Sequence, residues 1–331
     1  MVPTTGGYGH GLPTTHPATE VVSVPSPAAR LLPPALRPWL GAVLISFSGV
    51  WVRLADVEVA RSAFLRGAYA LPLLALLVAV RAWGTPGPRQ WLQPMALLAG
   101  AFLGLDLLAW HASIGIVGAG LGTVLPNLQV VFVGLIGVAV FAERPRASFW
   151  GALPVVLAGV WLLAAFGRPV TADGPVWLGI GLGVVTAVLY SLVLVVLRLA
   201  RAHRSGASAP EVLWSLTLGA AVVTGASALV QGVAAPAGWP ADGYLLLLAI
   251  GSQVVGWLLL TTSIHRLPAA ATSVALLLQP VLALVWGGLL LAEPVGPAQL
   301  AGAGVVLVGV TLAHRSLREV VVSAGSGPPA R

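Results

Sequence analysis

The sequence predicts an all-α membrane protein with ten transmembrane helices, arranged as two inverted five-helix repeats. Three observations predict this fold class: the share of apolar residues, their spacing along the chain and an internal repeat. Of 331 residues, 58% are hydrophobic and 8% are charged, and the mean hydropathy is +0.95. Because soluble domains carry roughly 25% charged residues, this composition excludes a water-soluble core.

The apolar residues fall into ten stretches, each close to the roughly 20 residues that a helix needs to cross a bilayer. Short segments that contain Pro, Gly and Arg separate these stretches, as expected of loops. The predicted helices cover residues 39–55, 62–81, 91–113, 117–141, 148–166, 175–197, 211–232, 243–264, 269–291 and 297–314.

The repeat appears when the sequence is shifted by 150 residues without a gap. Gln129 then aligns with Gln279, Glu143 with Glu293, and residue 159 with residue 309, both Gly. An odd number of helices in each copy makes the second copy insert upside down, and such halves can exchange conformations to open a site alternately to each side. The predicted organisation is a disordered tail (1–36), a first repeat (37–167), a second repeat (168–314) and a C-terminal tail (315–331).

The basic residues predict the orientation, because all 17 are Arg and most lie in short loops. Cytoplasmic loops of membrane proteins carry an excess of basic residues. With the N-terminus inside and ten crossings, only Arg53, Arg61 and Arg168 lie outside, whereas Arg66 lies within the second helix. Both termini are therefore predicted to be cytoplasmic, in a bacterial-type inner membrane. The loop position of the Arg residues also argues against a nucleic-acid partner.

Several classes of site are not expected. The chain has no Cys, which excludes disulfides and thiolate metal sites. No phosphate-binding loop, metal cluster or catalytic set of side chains is recognisable, so we expect no cofactor, no metal, no catalytic residue and no enzyme activity. The expected partners are membrane lipid and a small solute, and the sequence predicts no oligomeric state.

Motifs near the ends of both halves resemble a known family. Each half has a Pro- or Gln-bearing helix that ends in AERP or AEP and is followed by a helix with a G…GV pattern, and Arg66 lies in FLRGAYALPLL near the start of the second helix. In these features the chain is similar to EamA-type members of the drug/metabolite transporter superfamily. The resemblance implies a ten-helix transporter with a cavity surrounded by helices one, three, four, six, eight and nine. The second half departs from it in having Leu216 where the first has Arg66.

Charged residues inside the membrane are rare enough to be candidate site residues. Asp106 lies well inside the third helix, and Trp110 follows it by one turn on the same face. Two interpretations of Asp106 remain open: it contacts solute or carries a coupling proton, or it is a structural partner of an Arg. Arg66 is the expected partner, and it also has two interpretations. Its side chain either extends to the membrane interface or binds Asp106 in one conformation and a solute carboxylate in the other.

Uncharged polar residues form a second group of candidates. They are amides at equivalent positions, prolines that free backbone carbonyls, and polar-aromatic pairs at helical spacing. Each either packs helices together or lines the cavity. These candidates are Gln129, Gln279, Pro126, Pro280, Tyr190, Gln253 and Trp257.

Glu143 and Glu293 recur in the repeat beside a Pro at the end of a helix. Such a carboxylate can bind the free amides at the start of the next helix or form a gating ion pair with a loop Arg. His111, near a helix end, is expected at the interface rather than at a metal.

Together these features predict a secondary transporter of a small metabolite or drug-like solute, driven by proton exchange or by the solute gradient, with export favoured. An uptake carrier is the alternative within transport. From another class, a membrane receptor or scaffold would be expected to add a folded soluble domain, which neither tail resembles.

Overall fold

The computed structural model describes residues 36–84, 92–141, 145–166, 175–202, 207–264, 269–294 and 296–325. Within these ranges the chain is all-α and has no strand, as expected. A 3-10 turn (Leu125–Leu128) joins α4 to α5, and a π-helical segment (Leu248–Gly256) joins α9 to α10. The helices are α1 (Arg37–Ser46), α2 (Ser48–Ala55), α3 (Val59–Gly84), α4 (Pro94–Val124), α5 (Gln129–Phe141), α6 (Ala147–Phe166), α7 (Val176–Ala202), α8 (Ala209–Val230), α9 (Ala241–Leu247), α10 (Trp257–Ile264), α11 (Ala269–Leu291) and α12 (Pro297–Gly325).

Two boundaries differ from the sequence prediction. Helix α12 continues to Gly325, past the predicted end at His314. The loop predicted at residues 114–116 is helical, and the interruption comes instead at Gly118, whose φ of +89° is non-helical. Glycine alone adopts such an angle without strain, since it has no Cβ. The third and fourth predicted helices are therefore the parts of α4 and α5 on either side of Gly118.

Six helical segments in the described ranges are long and apolar enough to cross a membrane. One of them, Pro94–Val140, has 47 residues. As one straight helix it would be about 70 Å long, more than twice the roughly 30 Å of a hydrocarbon core. Since it is interrupted at Gly118, it has the length for two crossings. The other five are Arg37–Ala55, Val59–Trp83, Val176–Ala200, Ala209–Val230 and Ala241–Leu260, and three shorter apolar helices are Ala147–Leu163, Leu278–Leu291 and Pro297–Ala313.

The described part of the interior contains two large clusters of buried apolar side chains and a small third one, formed by Ala55, Leu65, Leu245 and Leu248. The first joins α3, the part of α4 before Gly118, the end of α7, and α8. The second joins the part of α4 after Gly118, α6, the start of α7, and α12. Apolar side chains also point outward: Leu157, Val222 and Leu289 are 68%, 63% and 73% exposed. An apolar exterior of this kind is suited to contact with lipid rather than with water.

Helices α6 and α12 pack against each other in opposite directions. Val156 of α6 lies against Gly309, whereas Gly159, further along α6, lies against Val306, earlier in α12. These two contacts exchange under the 150-residue shift, because Val156 corresponds to Val306 and Gly159 to Gly309. The contact between the two helices is thus symmetric: each helix presents the equivalent Val and Gly to the other.

Helices α4 and α8 approach so closely at Gly100 and Gly219 that no side chain fits between them. A Cβ at Gly219 would overlap the carbonyl of Leu97. We therefore expect Gly219→Ala to destabilise the protein by about 1–3 kcal/mol, since the backbones must separate. Thermal unfolding in detergent would measure this. Gly181→Ala, where the added Cβ meets open space, is the control; equal stability of the two variants would contradict the expectation.

Candidate solute-binding cavity

A cavity of about 200 Å³ lies between the two core clusters. Helices from both halves of the chain line it, including α2, α3, α4, α7, α10, α11 and α12. Most of its surface is apolar, as is usual for sites that bind small molecules, although about half of its lining residues carry a polar side chain. Of the candidates from the sequence it brings together Arg66, Asp106, Trp110, Pro126, Gln129, Tyr190, Trp257, Gln279 and Pro280.

Asp106 is buried in this lining, with 5% of its surface exposed. Its Oδ1 atom has no hydrogen-bond partner among the described residues. The Thr186 hydroxyl of α7 donates to the backbone carbonyl of Asp106 rather than to its carboxyl group. An acceptor without a partner, within a segment that crosses a membrane, costs free energy unless a solute, water or proton satisfies it.

Arg66 is also buried, 5% exposed, so its side chain does not extend to the membrane interface. Its Nε donates to Gln253 Oε1 over 2.8 Å, and Gln253 in turn donates to the Thr217 hydroxyl over 3.2 Å. Arg66 and Asp106 form no ion pair; in the described part of the chain, the pair within 4.0 Å is Arg61 with Glu58. Gln253 is therefore not part of the cavity lining, where the sequence analysis had it as a candidate. It positions Arg66 from behind that lining.

Aromatic rings form one wall of the cavity. The Arg66 guanidinium lies 5.7 Å from the centre of the Trp110 ring, within the range of a cation–π contact. The Trp110 indole donates to the carbonyl of Gly122 over 3.0 Å, which ties the two parts of α4 together across Gly118. Tyr190 and Trp257 meet edge to face, with ring centres 6.3 Å apart. These rings offer a flat apolar surface beside the two charged groups.

The segment around Pro126 supplies further polar groups. Gln129 Oε1 is buried without a partner among the described residues, and Gln279 reaches the same cavity from α11. Asn127, which the sequence analysis did not single out, also lines the cavity. Its amide nitrogen donates to the carbonyls of Thr123 and Val124. The signal that could have identified it is an Asn beside a Pro inside an apolar stretch.

Glu293 lies away from the cavity and caps a helix from the other half of the chain. Its Oε1 accepts from the amide of Ala119 at 2.6 Å, and its Oε2 accepts from the amide of Gly120 at 3.2 Å. These amides are freed by the break at Gly118, where a Cβ would collide with the carboxylate. Capping was expected, but of the next helix along the chain; the amides belong instead to α4. Glu143 lies outside the described residues.

Two more side chains were not anticipated. Arg315, which the sequence placed in the C-terminal tail, lines the cavity from α12. His111 is buried, with 2% of its surface exposed, rather than interfacial. No group of three metal-ligating side chains occurs among the residues that the structure describes. The cavity therefore presents one carboxyl group, two guanidinium groups, amides and aromatic rings to a small solute.

Comparison with solved structures supports the fold. One solved chain, described only as a crystal structure of a protein, is 17% identical to this chain, with a TM-score of 0.56. The match covers 85% of this chain and 97% of the other. At this identity the likeness concerns the fold alone. No curated protein matches the chain.

Comparison with protein families identifies the second half of the chain. The model of the EamA-like transporter family matches residues 177–315, which include α7 to α11 and most of the described part of α12. With its long apolar helices, the chain is a multi-pass membrane protein, and the family implies a transporter of small solutes. The predicted resemblance is confirmed over residues 177–315, which match the EamA-like transporter family.

Proposed function

We propose that the protein is a secondary active transporter that exports a small metabolite or drug-like solute across the cytoplasmic membrane by alternating access. One observation carries the proposal: a cavity between the two large core clusters holds a buried carboxyl group, with one oxygen unpartnered among the described residues, together with a buried guanidinium and aromatic rings. Such a site can bind a solute that has both polar and apolar parts. Asp106 and Arg66 are the groups proposed to bind it, and Asp106 to carry a coupling proton.

The proposal includes ten crossings with both termini in the cytoplasm, and the directions of packed helices support it. The helices predicted third and seventh run parallel. Residue 100 lies against residues 216–219, and residue 104 lies against residues 220–223, so both helices advance in the same direction. The first and eighth run antiparallel, with Gly41 against Leu260 and Ile45 against Gly256. These directions are the ones required if successive predicted helices cross the membrane alternately.

The contact between α6 and α12 supports inversion of the two halves. These are equivalent helices under the 150-residue shift, yet they run in opposite directions, and their contacts exchange under that shift. An axis that relates two halves in this way lies in the membrane plane. Each half could then adopt the conformation of the other, which would move the opening of the cavity from one face to the other.

Glu293 is proposed to control one of the two openings. Its carboxylate joins the second half of the chain to α4 of the first half, through the amides of Ala119 and Gly120. A charge-assisted cap of this kind is strong and directional. We propose that it holds the break in α4 and the end of α11 together while the cavity is closed on that face, and that it separates when that face opens.

Flux into reconstituted vesicles tests the proposed function. A panel of small metabolites and drug-like solutes would be screened with an imposed pH gradient, against vesicles without protein. We expect at least one solute to be carried by the native protein. Thr123→Phe, which would fill the cavity, should abolish that flux, and Val222→Phe on the outward face should not. Flux that is unaffected by Thr123→Phe, or no flux from any solute, would contradict the proposal.

A further inference from the structure

A second, smaller pocket lies where α2, α3 and α4 meet, apart from the central cavity. Its volume is about 90 Å³, and its polar lining residues are Arg53, Asp56, Ser62 and His111. This is less than half the volume of the central cavity, whereas a single water needs only about 10–15 Å³ of such space. The pocket is therefore of a size for an inorganic ion with a few waters.

Four polar atoms of side chains that line this pocket lack partners among the described residues. Arg53 Nε, Ser62 Oγ and both ring nitrogens of His111 are buried and make no hydrogen bond to any described residue. Ser62 and His111 are 1% and 2% exposed, so bulk water does not reach them freely. Buried polar groups in folded proteins are normally satisfied, and each one that is not costs free energy. The concentration of these atoms in one pocket points to an occupant.

The chemistry of these atoms favours an occupant that accepts hydrogen bonds. Arg53 Nε can only donate, the Ser62 hydroxyl can donate, and His111 offers at least one N–H in either protonation state. Arg53 is half-buried, and no carboxylate among the described residues lies within 4.0 Å of its guanidinium group. Its Nε is withdrawn from water, and a buried donor is normally paired.

The two carboxylates at this end of the helices, those of Asp56 and Glu58, form no ion pair with Arg53. Asp56 also lines the pocket but is exposed, so water screens its carboxylate. Glu58 is engaged by Arg61 at 3.2 Å. We propose that the pocket is a binding site for a small monovalent anion of the size of chloride, held by Arg53 Nε, the Ser62 hydroxyl and a His111 N–H.

Thermal unfolding of the purified protein in detergent tests this site without reference to transport. Sodium chloride would be titrated against sodium gluconate at constant ionic strength, because gluconate is too large for the pocket. We expect chloride to raise the Tm of the native protein saturably, by about 2–4 °C. In Arg53→Gln and Ser62→Ala the chloride concentration at half-effect should rise about tenfold or more.

Arg61→Gln is the matched control, since Arg61 lies at the same end of the helices but does not line the pocket. It should keep the native response to chloride. Ser62→Ala is a small change that leaves the charge in place, so it decides the outcome if Arg53→Gln does not fold. Equal effects of chloride and gluconate, a native response in both pocket variants, or a response lost equally in Arg61→Gln would overturn the proposal and leave water as the occupant.

Discussion

Asp106→Asn is expected to reduce proton-linked solute flux to the level of vesicles without protein, a loss of at least about tenfold. Asn has nearly the shape of Asp but cannot gain or lose a proton, so a coupled cycle would stop. The protein should still fold, because the carboxyl group is buried with one oxygen unpartnered, and a neutral amide is less costly to bury. Flux with and without a pH gradient would be measured in the same vesicles.

The control for Asp106 is a carboxylate outside the cavity. Glu58 is 52% exposed and bonded to Arg61, so Glu58→Gln should keep the proton linkage of the native protein. If Asp106→Asn also keeps it, Asp106 is not the coupling group. If both variants lose it, the effect does not belong to the cavity.

Glu293→Gln is expected to open the cavity to the face on which Glu293 lies. Gln retains one oxygen but presents an NH₂ group to an amide donor, so one of the two bonds to Ala119 and Gly120 is lost. Charge-assisted hydrogen bonds contribute about 1.5–3 kcal/mol each, enough to change the populations of two conformations more than tenfold.

Labelling of a cavity cysteine measures this opening directly. The chain has no native Cys, so Ser48→Cys, at a buried serine that lines the cavity, gives a single reactive thiol. With a membrane-impermeant thiol reagent added on the Glu293 face, labelling should be at least about tenfold faster when Glu293→Gln is also present. Protection of the thiol by a transported solute would place the solute in the cavity.

Glu211→Gln is the control for this experiment. Glu211 also caps a helix, because it accepts from the amide of Ser208 at 2.7 Å, but that bond lies within one helix start and does not join the two halves. Its loss should weaken α8 locally and leave the labelling rate unchanged. Equal rates in the presence and absence of Glu293→Gln would show that the cap does not control access.

The helices were predictable because their signal is local. An apolar stretch of about 20 residues is readable without knowledge of its neighbours, and the predicted ranges coincide with the helices over most of their length. The break at Gly118 was not predictable, because the interaction that stabilises it is distant in sequence. The freed amides are bound by Glu293, in the other half of the chain. Residues 114–116, where the sequence prediction placed the loop, remain helical.

The cavity was predictable only in part, for a similar reason. Asp106 and Arg66 were identified because a charge in an apolar stretch is conspicuous, and both line the cavity. Their actual partners were not foreseen: Arg66 bonds to Gln253, 187 residues away, rather than to Asp106. His111 resembled an interfacial residue by its position near a helix end, but the packing of α2 and α3 around it makes it buried.

The most direct test of the account concerns the two exposed residues that begin α6 and α12. Ala147 and Pro297 are equivalent under the 150-residue shift, so Ala147→Cys and Pro297→Cys give one thiol each at matched positions. An impermeant thiol reagent would be added to right-side-out and inside-out vesicles. If the halves are inverted, residue 147 is labelled only from the cytoplasmic face and residue 297 only from the opposite face. Labelling of both from the same face would contradict the inverted repeat and the transport mechanism built on it.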